Sequence, residues 1–271
     1  MPELPDVETM RRYLQATSLH QRIAEVELHG AGVLLEEEAQ ELKEELVGRS
    51  FASTQRHGKH MFVALAEETG ETGDHLVLHF GMTGGLKYFK DIEEEPEYDR
   101  LLFYFDNGYH LAYQSMRKLG EVDVIDDVEA FIAEKELGPD ALDPDFDLAA
   151  FKEVVTGRRA MAKSLLMDQQ TIAGIGNVYS DEILFQAGIH PRARISQLDP
   201  EALPGLFHIM KDVLQAAIEV QAQPERLPDS FIIPHRHEGG KCPCCGADLE
   251  RVKVSSRSAY YCPNRQQRGD D

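Results

Sequence analysis

The chain opens Met1-Pro2-Glu3-Leu4-Pro5-Asp6-Val7-Glu8. Pro5 followed by Asp6 and Glu8 supplies helix-start chemistry, a preset φ with acid in the first turn. Val7, Met10 and Leu14 then recur at helical spacing, so a first helix is predicted almost at the terminus. The residues ahead of it are therefore held. Met1 precedes a small residue, so its trimming is expected, and Pro2 would then present a secondary amine. An α-amino group titrates at roughly 7.7–8.0, which leaves a useful neutral fraction near physiological pH. Attack by such an amine on a sugar's anomeric carbon gives an iminium, because a secondary amine cannot form a neutral imine. That cation acidifies the neighbouring sugar proton and drives elimination. Glu3 places a carboxyl group beside the nitrogen, where it could protonate an opening sugar ring. On an isolated dipeptide the bland reading, a solvated terminus, prevails, and the rest of the chain has to decide.

Beyond this helix the pattern changes. Short β-rich runs at 26–28, 61–66, 76–80, 101–105 and 109–113 follow one another, with Asp106, Asn107 and Gly108 as the turn between the last two, and this half reads as an antiparallel sandwich. Pro139, Pro144 and the aspartates between them mark a boundary, after which Phe151, Val154 and Val155 open a helical region. Two helical patterns flank Ala173-Gly174-Ile175-Gly176-Asn177. Glycines permit a tight turn there, and the second helix can offer its free N–H groups to an anion. A further helix carries Leu206, Met210, Val213, Leu214, Ala217 and Ile218 on one face, which reads as core.

Bulk properties bound the function. At 271 residues the chain has room for two globular parts and a small appended module. No stretch is apolar enough to span a bilayer, and the opening residues do not read as a signal peptide, so a cytosolic protein is expected. The net charge of −20 argues against a nucleic-acid partner, since gripping phosphates normally requires a basic surface. Much of the acid, however, sits in runs at 36–38, 67–71 and 93–97 that read as solvated faces, while Arg and Lys gather elsewhere. An acidic exterior also suits a high-salt cytoplasm.

Five further strings sharpen the picture: Arg56-His57-Gly58-Lys59-His60, Phe80-Gly81-Met82-Thr83-Gly84, Ser115-Met116-Arg117-Lys118-Leu119-Gly120, Met167-Asp168-Gln169 running through Asn177-Val178-Tyr179, and Ser255-Ser256-Arg257-Ser258. With the opening string they closely resemble the formamidopyrimidine-DNA glycosylase and endonuclease VIII family over essentially the whole chain. The resemblance implies an α+β fold. An N-terminal antiparallel β-sandwich with a leading helix would fill 1–135, a helix-two-turn-helix DNA-binding domain 136–225, and a zinc-finger-like hairpin 232–266. By the same resemblance Pro2 is the nucleophile, Glu3 the acid, and Lys59 and Arg257 assist elimination at phosphates beside the lesion. Met82 would be a wedge filling the gap left by an everted base, Arg117 would face the orphaned base or a phosphate, Asn177 would bond a phosphate, and Arg158 and Lys163 would contact DNA. Leu119 stands where many members carry Phe, which puts opposite-base preference in doubt.

The tail departs from the family pattern. Cys242-Pro243-Cys244-Cys245 and Cys262-Pro263-Asn264-Arg265 are separated by sixteen residues, close to the spacing of a four-thiolate zinc ribbon. Arg265 stands at the fourth ligand position, and a guanidinium stays protonated and cannot ligate. Cys242, Cys245 and Cys262 remain as ligands for zinc, with His235 or His237 as substitutes that would have to fold over; a metal-free finger held by packing is the alternative.

The expectation is a cytoplasmic, nucleoid-associated repair enzyme, a monomer by default, whose partner is damaged double-stranded DNA. It needs no membrane and no nucleotide cofactor. Its competitor is a silent reader of damaged DNA with the same fold, motivated by Arg265, Leu119 and the acidic balance. A zinc-ribbon interaction protein explains only the tail. The short segment from Pro224 to Cys242 points toward formamidopyrimidines or oxidised pyrimidines ahead of 8-oxoguanine.

Overall fold

Helix α1 (Leu4–Thr17) begins one residue before Pro5, carries Asp6 in its first turn, and buries Leu4, Val7 and Leu14. The computed structural model describes residues 1–29, 36–117 and 120–267. They fall into two units, Met1–Pro2 with Asp6–Lys135, and Glu3–Pro5 with Glu136 onward.

In the first unit eight strands follow α1: β1 (Ile23–Leu28), β2 (Ser50–His57), β3 (His60–Ala66), β4 (Thr72–His79), β5 (Gly85–Phe89), β6 (Asp99–Phe105), β7 (His110–Gln114) and β8 (Glu121–Ile125). They pair antiparallel in two sheets, ordered β1-β6-β7-β5 and β2-β3-β4-β8. One core drawn from both sheets joins Val26, Phe103 and Leu111 to Met61, Val63 and Leu76, so the predicted sandwich is present. Phe51 packs edge-on against Phe103 and Phe105 with centroids 5.3 and 5.8 Å away. Between β6 and β7 the turn forms as read: Gly108 adopts φ +78° and the Asn107 side chain accepts from the Tyr109 N–H at 2.9 Å.

Five elements of this unit were not read from the sequence. Strands β2, β5 and β8 lack an apolar run, because each pairs with a single neighbour at a sheet edge and buries few residues. The acidic run at 36–38 opens helix α2 (Glu36–Leu46), whose Leu42 and Leu46 enter the sandwich core. Two leucines four apart among glutamates make too thin a stripe to stand out. Helix α3 (Val128–Glu134) closes the unit, its N-terminus capped by the Asp127 carboxylate.

The second unit holds α4 (Leu148–Val155), α5 (Ala162–Leu166), α6 (Asn177–Gln186), α7 (Ala202–Glu219) and a hairpin of β9 (Glu250–Val254) and β10 (Arg257–Tyr261). Asp147 caps α4. The α7 face carrying Leu206 to Ile218 is buried, as its periodicity predicted. Helix α6 is different: Tyr179 to Phe185 are all buried, so Ser180, Asp181 and Glu182 lie inside and need partners there.

Candidate active site

The glycine turn before α6 exists to receive residues 3 and 4. The Glu3 carboxylate is 1% exposed and accepts from Gly176 N at 2.7 Å, Val178 N at 2.8 Å and Tyr179 N at 3.2 Å. It therefore satisfies donors that the first turn of α6 would leave orphaned, and lies at the positive end of the helix. Leu4 N donates to Gly174 O at 3.0 Å. Gly174, at φ +113°, has no room for a side chain, since a β-carbon there would lie 2.5 Å from Leu4 Cδ1. Gln169 braces the turn, its Nε2 donating to Ile175 O and its Oε1 accepting from Gly174 N. Pro2, partly exposed, is one peptide bond from this anchor.

Beneath the same turn lies a buried ionic set. Lys163, fully buried, donates to Asn177 O at 2.9 Å, Ser180 Oγ at 3.1 Å and Asp181 Oδ1 at 2.5 Å. Arg236 donates through Nε and Nη2 to Asp181 Oδ2 at 3.0 and 2.7 Å, and through Nη2 to Asn177 O at 3.2 Å. Burial pulls the Lys163 ammonium pKa down against the pull of Asp181. The expectation that Lys163 contacts DNA meets a physical obstacle here: the ammonium has three protons and three internal acceptors, and no exposed surface. Neither Asp181 nor Arg236 was singled out in the sequence. Asp181 had one signal, its place beside Glu182 as a pair of acids in a segment otherwise destined for the interior.

Other residues of this unit lie outward. Arg158 is exposed, its Nε donating to Val154 O at 3.0 Å. Arg257 is exposed at the start of β10, next to a turn in which Ser255 takes φ +53° and its hydroxyl meets Ser164 Oγ at 3.0 Å. Asn177 is the first residue of α6, and its side-chain Oδ1 is buried with no partner among the described residues.

At the tail, Cys242, Cys245 and Cys262 gather their sulfurs within 4.8 Å of one another, a group that could hold a metal ion. Cys244 is exposed, and neither His235 nor His237 joins the group. Three soft thiolates suit zinc but fill only three of four tetrahedral positions. Arg265 supplies no fourth: its guanidinium lies over the Phe185 ring of α6, 5.1 Å from the centroid. Metal-independent ties join the hairpin region to the helices. Arg192 donates twice to Lys253 O, Gln266 bridges Ile189 O and Cys262 N, and Tyr260 N donates to Asp181 Oδ2 at 3.0 Å.

In the first unit, Lys59 is buried in the turn between β2 and β3, after Gly58 at φ +57°. Arg56 steadies that turn by donating to Gly58 O at 3.1 Å, and its Nε reaches Glu8 at 3.4 Å. Burial raises the Glu8 pKa, but hydrogen bonds from Arg11 and Arg12 outweigh it and hold the group at about 2. Across the β3–β4 pair the His60 and His79 rings meet at 4.8 Å; burial, then the like charge of His79, pushes His60 down to about 3, and burial lowers His79 as well. Sequence reading took Glu8 only as a helix-start acid and Arg56 only as part of the Lys59 string, and passed over His79, although His79 precedes the Phe80-Gly81-Met82 string directly. Met82 and Arg117 come together, Arg117 Nη1 approaching Met82 Sδ at 3.4 Å. Leu119 lies outside the described residues.

Two family models match the chain, the formamidopyrimidine-DNA glycosylase N-terminal domain over residues 1–122 and the formamidopyrimidine-DNA glycosylase H2TH domain over residues 137–228. Among curated relatives, the formamidopyrimidine-DNA glycosylase of Pelotomaculum thermopropionicum is 34% identical, the alignment covering 98% of this chain and 99% of that protein. That of Moorella thermoacetica is 34% identical, over 93% of this chain and 95% of its own length. Among solved structures, Lactococcus lactis Fpg in complex with N7-benzyl-Fapy-dG DNA superposes with a TM-score of 0.87 at 29% identity, covering 98% of this chain and 100% of that one. The same enzyme bound non-covalently to DNA containing an AP site gives a TM-score of 0.86 at 29% identity, with the same coverage.

Proposed function

The chain belongs to the formamidopyrimidine-DNA glycosylase family, and from that membership we propose that it is a base-excision repair enzyme, removing oxidised or ring-opened bases from duplex DNA and nicking the abasic site left behind. The observation that carries the reading is the anchoring of Glu3 by three N–H groups at the head of α6. It fixes the residue next to the nucleophile to a buried helix terminus, which a solvated chain start would not need.

With Met1 removed, the Pro2 nitrogen bonds to C1′ of the deoxyribose. The bond from C1′ to the base breaks, and the base departs with the electron pair and takes up a proton. The Glu3 carboxylate takes the proton that the Pro2 nitrogen loses and passes it to the ring oxygen as the sugar opens to the iminium. Loss of the C2′ proton expels the 3′ phosphate and loss of the C4′ proton expels the 5′ phosphate, with Lys59 and Arg257 assisting; water then hydrolyses the iminium, breaking the bond from C1′ to nitrogen and returning the free Pro2 amine. Met82 and Arg117 fill the gap in the duplex, and Arg158 and Asn177 hold phosphates. A damage reader without turnover has no use for so firmly held a chain start.

We assign domain limits of 1–135, 136–225 and 232–266, and zinc as the metal of Cys242, Cys245 and Cys262. When bound, zinc fastens the two ends of the tail hairpin to each other. The partner is damaged duplex DNA, met by a monomer in the cytoplasm at the nucleoid. Ring-opened purines are the expected lesion class.

Borohydride trapping tests the chemistry. Duplexes carrying formamidopyrimidine, 8-oxoguanine, thymine glycol, uracil or an abasic site are offered to protein whose first residue is verified as Pro2. The expected result is a covalent adduct on the N-terminal peptide, fastest with the ring-opened purine and the abasic site. No adduct with any of the five defeats the lyase reading.

A further inference from the structure

Lys163, Asp181 and Arg236 take no part in the chemistry above, yet they bond Asn177, which is assigned to DNA, and the strand that carries Arg257. Asp181 is their centre. One oxygen holds Lys163, and the other holds Arg236 and the backbone N–H of Tyr260, three residues along β10 from Arg257. The two cations in turn donate to the carbonyl of Asn177, the first residue of α6. Arg236 also lies over the Tyr260 ring, 5.5 Å from its centroid. Lys163 and Arg236 face the carboxylates of Asp181 and of Glu3, which caps the same helix, while burial raises the neighbouring Glu182 pKa to about 7. An ion set of this kind adds little net stability compared with an apolar filling, because desolvation opposes its attraction. Its directional bonds to Tyr260 N and Asn177 O, however, fix where β10 sits against the head of α6.

We infer that Asp181 is a positioning residue that locks the Arg257 hairpin to the first turn of α6, so that Arg257 and Asn177 grip the strand at the lesion as one rigid unit. The inference rests on the proposed repair function. It reassigns Lys163 from a phosphate contact to an internal strut. Arg236, which no motif marked, becomes the link between the segment before the cysteines and the hairpin.

A double-mutant cycle tests it, read as affinity for a duplex carrying a tetrahydrofuran abasic analogue that cannot be cleaved. Asp181→Asn and Arg257→Ala are each expected to weaken binding roughly tenfold, within the usual range for residues acting as a unit, and the double variant no further than about twofold beyond Arg257→Ala. The ratio of δ- to β-elimination products is expected to fall in Arg257→Ala and to fall likewise in Asp181→Asn. Full multiplication of the two penalties, or an unchanged product ratio, overturns the inference. Should Asp181→Asn fail to fold, Arg236→Lys replaces it in the same cycle, keeping the charge while losing the two-pronged contact. Absence of a borohydride adduct with wild-type protein would sink the repair reading instead, and the binding cycle would still report on the coupling.

Discussion

The carboxyl carbon of Glu3 lies 2.4 Å from where a β-carbon on Gly176 would be, so the residue beside the chain start and the residue before α6 fit only because one of them has no side chain. Residues 173 positions apart in sequence are thereby made to specify each other. Gly176→Ala should force Glu3 away from its three donors. Overpacking of this kind costs about 1–3 kcal/mol, and a displacement near 1 Å at a nucleophile can cost on the order of 10²-fold in rate. The expected outcome is a modest fall in Tm with a far larger fall in borohydride trapping. Equal trapping rates in variant and wild type would mean that the anchor does not position Pro2.

That pairing also shows what the sequence made legible. The opening string and the glycine turn were each visible as motifs, because helix-start chemistry and tight turns leave local marks. Their contact was not visible, since nothing local in either string names the other. The sandwich announced itself through part of β1 and through β3, β4, β6 and β7, while the edge strands β2, β5 and β8 and the glutamate-rich α2 were hidden by their exposure. Lys163 shows the converse failure. A lysine in a basic stretch reads as surface, and only the fold reveals that Asp181, eighteen residues later, draws it inside.

Restoring the missing ligand should change the tail's metal chemistry. Arg265→Cys completes a four-thiolate set and gives up a cation–π contact with Phe185 worth about 0.5–1 kcal/mol. Wild-type protein is expected to lose zinc readily to a chelator and keep its hairpin in place, through the ties from Arg192, Gln266 and Asp181. The variant should retain one zinc per chain under the same treatment, measured by elemental analysis. Equal retention by the two proteins would show that three sulfurs already suffice.

Glu8 makes the acid limb of stability predictable. Its folded-state pKa is about 2 against an ordinary 4.5, so its ionised form stabilises the fold fully above about 4.5, and that contribution disappears as pH falls toward 2. Glu8→Gln cannot ionise. The Tm difference between wild type and variant should therefore hold steady from pH 7 to pH 5 and shrink between 4.5 and 2. A constant difference throughout that lower range would show that the cluster with Arg11, Arg12 and Arg56 is stabilised by its geometry and not by its charge.

The net charge of −20 places a sharp demand on the few cations that meet DNA. Each phosphate neutralised contributes about 0.9 to the slope of log affinity against log salt. Arg158→Ala and Arg257→Ala remove exposed cations assigned to phosphates, so each should weaken binding and flatten the slope by about that amount. Lys163→Met removes a cation with no exposed surface and leaves Asp181 with Arg236 as its cation, a change whose ceiling is the roughly 3–5 kcal/mol that breaking a buried pair outright costs. Its expected signature is a marked fall in Tm with the salt slope unchanged. A flattened slope with normal Tm would return Lys163 to the DNA surface and contradict its place in the interior.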